Sequence, residues 1–146
     1  MLVLPPLLYL GGLLVALALH WLRPLAFFQS PLRFVLALAL FAGAVALRAW
    51  AHRVIARTGT NVDPRKPATA LMTDGPYART RNPLYLALSA AFLAIGLAVN
   101  DSWFIAVLVA MLLVMHFAVI RREESYLLAK FGEPYAAYCR LVRRWL

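Results

Sequence analysis

The sequence predicts an all-α polytopic membrane helix bundle, with about four transmembrane helices plus cytoplasmic carboxyl-terminal helices. Three observations carry this prediction. Apolar residues make up 64% of the 146-residue chain against 14% charged ones, well above the roughly 45–50% apolar share of a soluble domain. Four apolar runs approach or exceed the roughly 17–25 residues that a helix needs to cross about 30 Å of hydrocarbon. The basic residues, which give a net charge of +9, gather at the ends of those runs, so they read as topology determinants and lipid-headgroup contacts, with no nucleic-acid partner implied. Residues 1–146 read as a single membrane domain.

The first span covers about residues 2–22, with Pro5 and Pro6 in its opening turns, where missing amide donors cost little. It reads as a transmembrane helix and not a cleaved signal, because no basic segment precedes it and the run is long for a signal core. A short connection leads to Pro31 and a second span over about 31–50, antiparallel to the first. Helix-compatible residues continue past it to about Arg57.

The 51–82 connection is rich in Gly, Pro, Thr and Asp, and its Val62, Leu71 and Met72 suggest an ordered lid. Asn82-Pro83 then opens a third span, 83–99. Asn100-Asp101-Ser102 is too short for anything but a helical hairpin into the fourth, 103–120. The Ala-rich third and fourth spans, with Ser89 and Gly96 in the third, allow close backbone approach.

In the tail, 121–146, helical character continues from Arg121 to Gly132, a good residue to close a helix after Lys130. Glu133-Pro134 opens a final amphipathic helix whose Tyr135, Tyr138, Leu141, Val142 and Trp145 recur at three- and four-residue spacing. Sidedness follows from the basic residues. Six lie in the 51–82 connection (Arg53, Arg57, Arg65, Lys66, Arg79, Arg81) and six in the tail (Arg121, Arg122, Lys130, Arg140, Arg143, Arg144), against one in 23–30 and none in 100–102. With four spans, the positive-inside rule puts both termini and the long connection in the cytoplasm, as in a bacterial inner membrane.

One cysteine, Cys139, excludes an internal disulfide, and three scattered histidines form no HxxxH or HExxH pair, so no metal is expected. The hairpin of spans three and four should instead bring Arg79, Arg81 and Tyr85 beside His116, Glu123 and Glu124. His116 and Glu123, seven apart, would lie nearly on one helical face. Singly, each residue has an ordinary explanation: the arginines as headgroup anchors, Asn82-Pro83 as a helix cap and first turn, the glutamates as a solvated face, His116 as an interior residue, Cys139 as inert.

Taken together they are more specific. Gly75-Pro76-Tyr77, Arg81-Asn82-Pro83-Leu84-Tyr85, Arg122-Glu123-Glu124 through Leu127 and Phe131-Gly132, and then Tyr135, Tyr138, Val142 and Arg144 occur in an order and spacing that resemble the isoprenylcysteine carboxyl methyltransferase family. That family and the related phospholipid methyltransferases are integral-membrane enzymes that use S-adenosylmethionine. Asn82 stands where the family often has His, and since Asn does not titrate near neutrality it is assigned no acid/base role.

The resemblance implies a cofactor site built mainly from 73–146. Glu123 or Glu124 would meet the cofactor's ammonium, Arg79 or Arg81 its carboxylate, and Tyr77, Tyr85, Tyr135 or Tyr138 its sulfonium or adenine, with Asn82 and His116 nearby. Arg81, Glu123 and Glu124 are the catalytic candidates. No GxGxxG follows a strand, so a Rossmann site is excluded. The implied acceptor is lipophilic or lipid-linked, an isoprenylcysteine-type carboxylate or similar. Alternatives are phospholipid N-methylation, an NADPH-dependent reductase of the sterol-reductase type, and a non-catalytic lipid-binding scaffold.

Overall fold

The computed structural model describes residues 5–59 and 69–145, and Val62, Arg65 and Lys66 of the expected lid lie outside the described residues. Regular structure among them is helical: α1 Pro5–Leu22, α2 Leu32–Thr58, α3 Pro83–Val99, α4 Trp103–Val114, α5 Arg121–Phe131 and α6 Glu133–Leu141. A short 3₁₀ turn, Gly75–Ala78, precedes α3. A π-helical turn, Met115–Ile120, joins α4 to α5 without a break. Chain punctuation accounts for the ends. Gly59 and Asn100 take left-handed φ values of 65° and 62° after α2 and α3, and Gly132 turns the chain from α5 into α6 at φ 59°.

Three helical stretches among the described residues, Pro5–Leu22, Leu32–Thr58 and Trp103–Phe131, are long and apolar enough to cross a membrane. The fourth apolar helix, α3, has 17 residues, about 26 Å at 1.5 Å per residue, at the short end of the roughly 17–25 residues with which a helix spans about 30 Å of hydrocarbon. Large apolar side chains such as Leu14, Val35, Leu38, Leu113 and Phe117 are exposed on the outside of the bundle. Their natural solvent is lipid, and the chain is an integral membrane protein.

Helix α3 is the hub, with α2 along one side and α1 and α4 along the other. On α2 the buried Ala37, Ala44 and Ala51 recur every seven residues, and α3 buries Ala87 and Ala94 at the same interval. Small residues at matching intervals let the two backbones close up. On the other side the main core joins Tyr9, Ala16, Phe92, Phe104, Leu108, Met111, Met115 and Val119. Gly96 makes the α3–α4 hairpin tight, since a Cβ there would stand 2.4 Å from the Phe104 Cβ.

The turn at the far end does more than reverse the chain. Asp101 is fully buried. Its carboxylate meets His20 Nδ1 at 2.6 Å and accepts the amides of Trp103 at 2.8 Å and Leu25 at 3.3 Å. Asn100 Oδ1 accepts the Phe28 amide at 2.8 Å. The α1–α2 connection is thereby stitched onto the α3–α4 turn. Burial alone would raise the Asp101 carboxyl, but its hydrogen bonds and the neighbouring His20 outweigh that and hold it below its ordinary value.

The amphipathic pattern of the tail overreaches by one turn. α6 stops at Leu141, which is 85% exposed, and Val142 is extended at φ −116°, ψ 130°. The reason is that the backbone beyond it is used elsewhere: Arg143 pairs with Thr80 as a short parallel bridge.

Candidate functional site

Three segments meet at the end of the bundle opposite Asp101: the chain leading into α3, the first turn of α5, and the strand-like residues after α6. Backbone bonds hold them. The Arg81 amide donates to the Arg143 carbonyl at 3.0 Å. The Arg144 carbonyl accepts from Asn82 Nδ2 at 2.9 Å and from the Thr80 hydroxyl at 3.3 Å. Asn82 therefore does not cap α3 with its side chain, as the sequence had suggested; its amide anchors the tail instead. Underneath, the Tyr138 hydroxyl donates to the Tyr77 carbonyl at 2.6 Å.

Glu124 is the centre of the charge cluster. Arg144 binds it with a fork, Nε to Oε1 at 2.9 Å and Nη2 to Oε2 at 2.6 Å, and Arg81 Nη1 reaches Oε1 at 2.9 Å. These are charge-assisted bonds, the stronger kind. The hydrogen bond with Glu124 raises the Arg144 guanidinium further above its already high value. Arg81 Nη1 also donates to Cys139 Sγ at 3.0 Å, and Arg144 Nη1 lies 3.4 Å from His116 Nε2. Among the described residues, the buried Arg81 Nε finds no partner. Two guanidiniums thus surround one carboxylate, and one of them keeps a free buried donor.

Glu123 belongs to a different set. The Tyr85 hydroxyl donates to its Oε1 at 2.7 Å, Ser89 donates to the Tyr85 carbonyl at 2.9 Å, and Ser89 and Tyr9 share a hydroxyl bond of 2.7 Å. A polar column therefore runs from Glu123 into the membrane core. Here the expectation that His116 and Glu123 share a face needs correction. Residues seven apart align in an α-helix, but the π-helical turn takes in extra chain per turn and rotates the helix beyond it. His116 meets Arg144 beside Glu124, while Glu123 turns toward α3.

A cavity of about 460 Å³ opens on this end, lined by Arg81, Arg121, Glu124, Tyr135, Cys139 and Arg144 among others. Burial pushes the Tyr135 and Tyr77 phenols well up and Tyr138 to about 12, the nearby Arg81 opposing the shift at Tyr138. All three are neutral hydrogen-bonding groups at physiological pH. Among the described residues, no group of three or more His, Cys, Asp or Glu could hold a metal ion.

Of the residues singled out from sequence, Arg81, Asn82, His116, Glu124 and Tyr135 come together around Arg144 or its cavity, Tyr85 pairs with Glu123, and Tyr77 pairs with Tyr138. Arg79 is the exception. It is exposed, and its guanidinium is not drawn into the cluster. The sequence shows Arg144 only as part of a pattern, Cys139 as inert and Ser89 only as a small residue for close packing, and nothing in it singles out Tyr9. Arg144 meets Glu124 only because the chain reverses at Gly132, and no local spacing announces that.

A segment of 63 residues, 43% of this chain and the whole of the relative, is 40% identical to an uncharacterized protein of Haemophilus influenzae. No solved structure matches. The family described as phospholipid methyltransferase matches residues 32–134, from the start of α2 to the start of α6. With most of its length covered by that match, the chain belongs to the phospholipid methyltransferase family.

Proposed function

We propose that this protein is a membrane methyltransferase that takes its methyl group from S-adenosylmethionine and delivers it to a lipophilic or lipid-linked acceptor. The observation that carries this reading is the Arg81–Glu124–Arg144 cluster opening into a polar cavity at the end of an apolar bundle. The residues fit the cofactor. The buried, unpartnered Nε of Arg81 is a donor in want of an acceptor, which a carboxylate supplies. Glu124 Oε2 takes one hydrogen bond, from Arg144, and so keeps capacity to accept an ammonium.

When bound, the cofactor supplies an electrophilic methyl on a good leaving group. The chain's work is then mostly alignment in a water-poor pocket. Arg81 orients the cofactor's carboxylate and Glu124 its ammonium. Arg144 positions Glu124 through its fork, His116 and Asn82 hold Arg144, and Tyr135 gives an aromatic wall. Glu123, held by Tyr85, is available to take a proton from an amine acceptor; a carboxylate acceptor needs none taken. Both termini and the cavity face the cytoplasm in this reading, where the cofactor is found.

Titration calorimetry of the detergent-solubilised chain with S-adenosylmethionine and, separately, NADPH tests it. Saturable heat with the former alone supports a methyltransferase. Heat with NADPH alone points to a reductase, and heat with neither points to a scaffold.

A further inference from the structure

Among the described residues that line the cavity, three are arginines, Arg81, Arg121 and Arg144, against one carboxylate residue, Glu124. Two of the three are committed to that carboxylate. Arg121 is not. Among the described residues it meets no carboxylate, and its guanidinium lies 5.7 Å from the centre of the Phe117 ring. Phe117 is 58% exposed on the lipid-facing side of the π-helical turn, one helical turn deeper in the bundle.

Arg121 therefore lines the cavity beside a ring exposed on the apolar outside of the bundle, and with the bundle in a bilayer it would stand near the depth of lipid headgroups. Ser125, one turn further on, lines the same cavity, with its hydroxyl donating to the Arg121 carbonyl at 2.9 Å. The electrostatics favour one sign of acceptor. A carboxylate or phosphate meets a surplus of positive charge, whereas a bare ammonium is repelled, and a bound sulfonium cofactor makes the site more positive still.

We propose that Arg121 recognises the acceptor, binding a carboxylate or phosphate headgroup carried on an alkyl chain that reaches the cavity from the membrane. The role as methyl acceptor rests on the methyltransferase reading; the anion site itself does not. The neighbouring Arg122 has the same charge and, like Arg121, is exposed, but among the described residues it does not line the cavity. It separates a built site from general attraction to anionic lipid.

The test is binding to the full chain in a neutral maltoside detergent, with dodecyl phosphate, laurate, dodecyltrimethylammonium and inorganic phosphate as probes. The anionic amphiphiles should bind, with Arg121→Gln weakening at least one of them by about tenfold and Arg122→Gln by no more than about twofold. Equal losses in the two variants would overturn the proposal. So would comparable affinity for the ammonium amphiphile, or inorganic phosphate binding as tightly as dodecyl phosphate, since the site would then take a free anion. If the anion preference holds while S-adenosylmethionine fails to bind, the methyltransferase reading falls and Arg121 remains an anionic-lipid site.

Discussion

Arg144 grips Glu124 with two nitrogens on two oxygens, at 2.9 and 2.6 Å, across a reversal of the chain at Gly132. The pair is only partly screened, with 31% of the Arg144 and 18% of the Glu124 side chain exposed. It fixes the orientation of the carboxylate that faces the cavity. A planar fork does this, and a point charge does not.

Arg144→Lys should accordingly behave as a loss and not a conservative change. We expect S-adenosylmethionine affinity to fall by about 1.5–3 kcal/mol, the range for a hydrogen bond to a charged group, with little loss of helix content. Calorimetry and circular dichroism on the same preparation check this. Unchanged affinity would show that the fork is not needed to place Glu124.

Tyr85→Phe removes the Glu123 hydrogen bond and nothing else in volume. The half-buried carboxylate is then left without its donor, and thermal stability in detergent should drop by about 1–3 kcal/mol. In a double-mutant cycle, Tyr85→Phe should cost much less when Glu123 is already Gln, because contacting residues are not additive. Additive losses would disprove the coupling.

Glycine substitutions should split by position. Gly96→Ala pushes a Cβ to 2.4 Å from the Phe104 Cβ, an atom with no freedom to swing away. It should destabilise the hairpin by about 1–3 kcal/mol. Gly43 on α2 has nothing within 4 Å of a new Cβ, so Gly43→Ala should stabilise by about 0.5–1 kcal/mol through the helix backbone alone. Denaturation in matched detergent compares them, and a destabilising Gly43→Ala would mean that α2 uses that bare surface.

Asp101 sets an acid limit. Its native value is depressed, so its contribution is fully present above the unfolded value of about 3.9 and is lost as pH falls through the lower native value. Melting temperature should therefore separate wild type from Asp101→Asn by a margin that does not shrink as the pH falls from neutral into the mildly acid range. The margin should shrink only in stronger acid. A gap that closes between pH 7 and 5 would assign it to another group.

Much of the fold was legible in the sequence because the signals were local. Pro83, Asn100 and Gly132 are punctuation that any backbone obeys, and the apolar runs needed only a length scale. The meeting of Arg81 with Glu124 followed from closing a three-residue turn. The features that escaped notice depended on events with no local signature. Nothing in the composition of Met115–Ile120 distinguishes a π-helical turn from an α-helical one, yet that turn leaves His116 beside Arg144 while Glu123 faces Tyr85. The His20–Asp101 contact joins residues 81 positions apart. Likewise, the periodicity of the tail continued past Leu141 while the backbone of Arg143 and Arg144 was claimed by Thr80, Arg81 and Asn82.

The most direct test is transfer itself. The full chain, reconstituted in vesicles of bacterial lipid extract, is supplied with S-adenosylmethionine labelled at its methyl group, and label is counted in the organic phase. Label should accumulate in extractable lipid with the wild-type chain and fall to background with Glu124→Gln. Label in the organic phase no higher than in protein-free vesicles, from a preparation that binds the cofactor, would contradict the account.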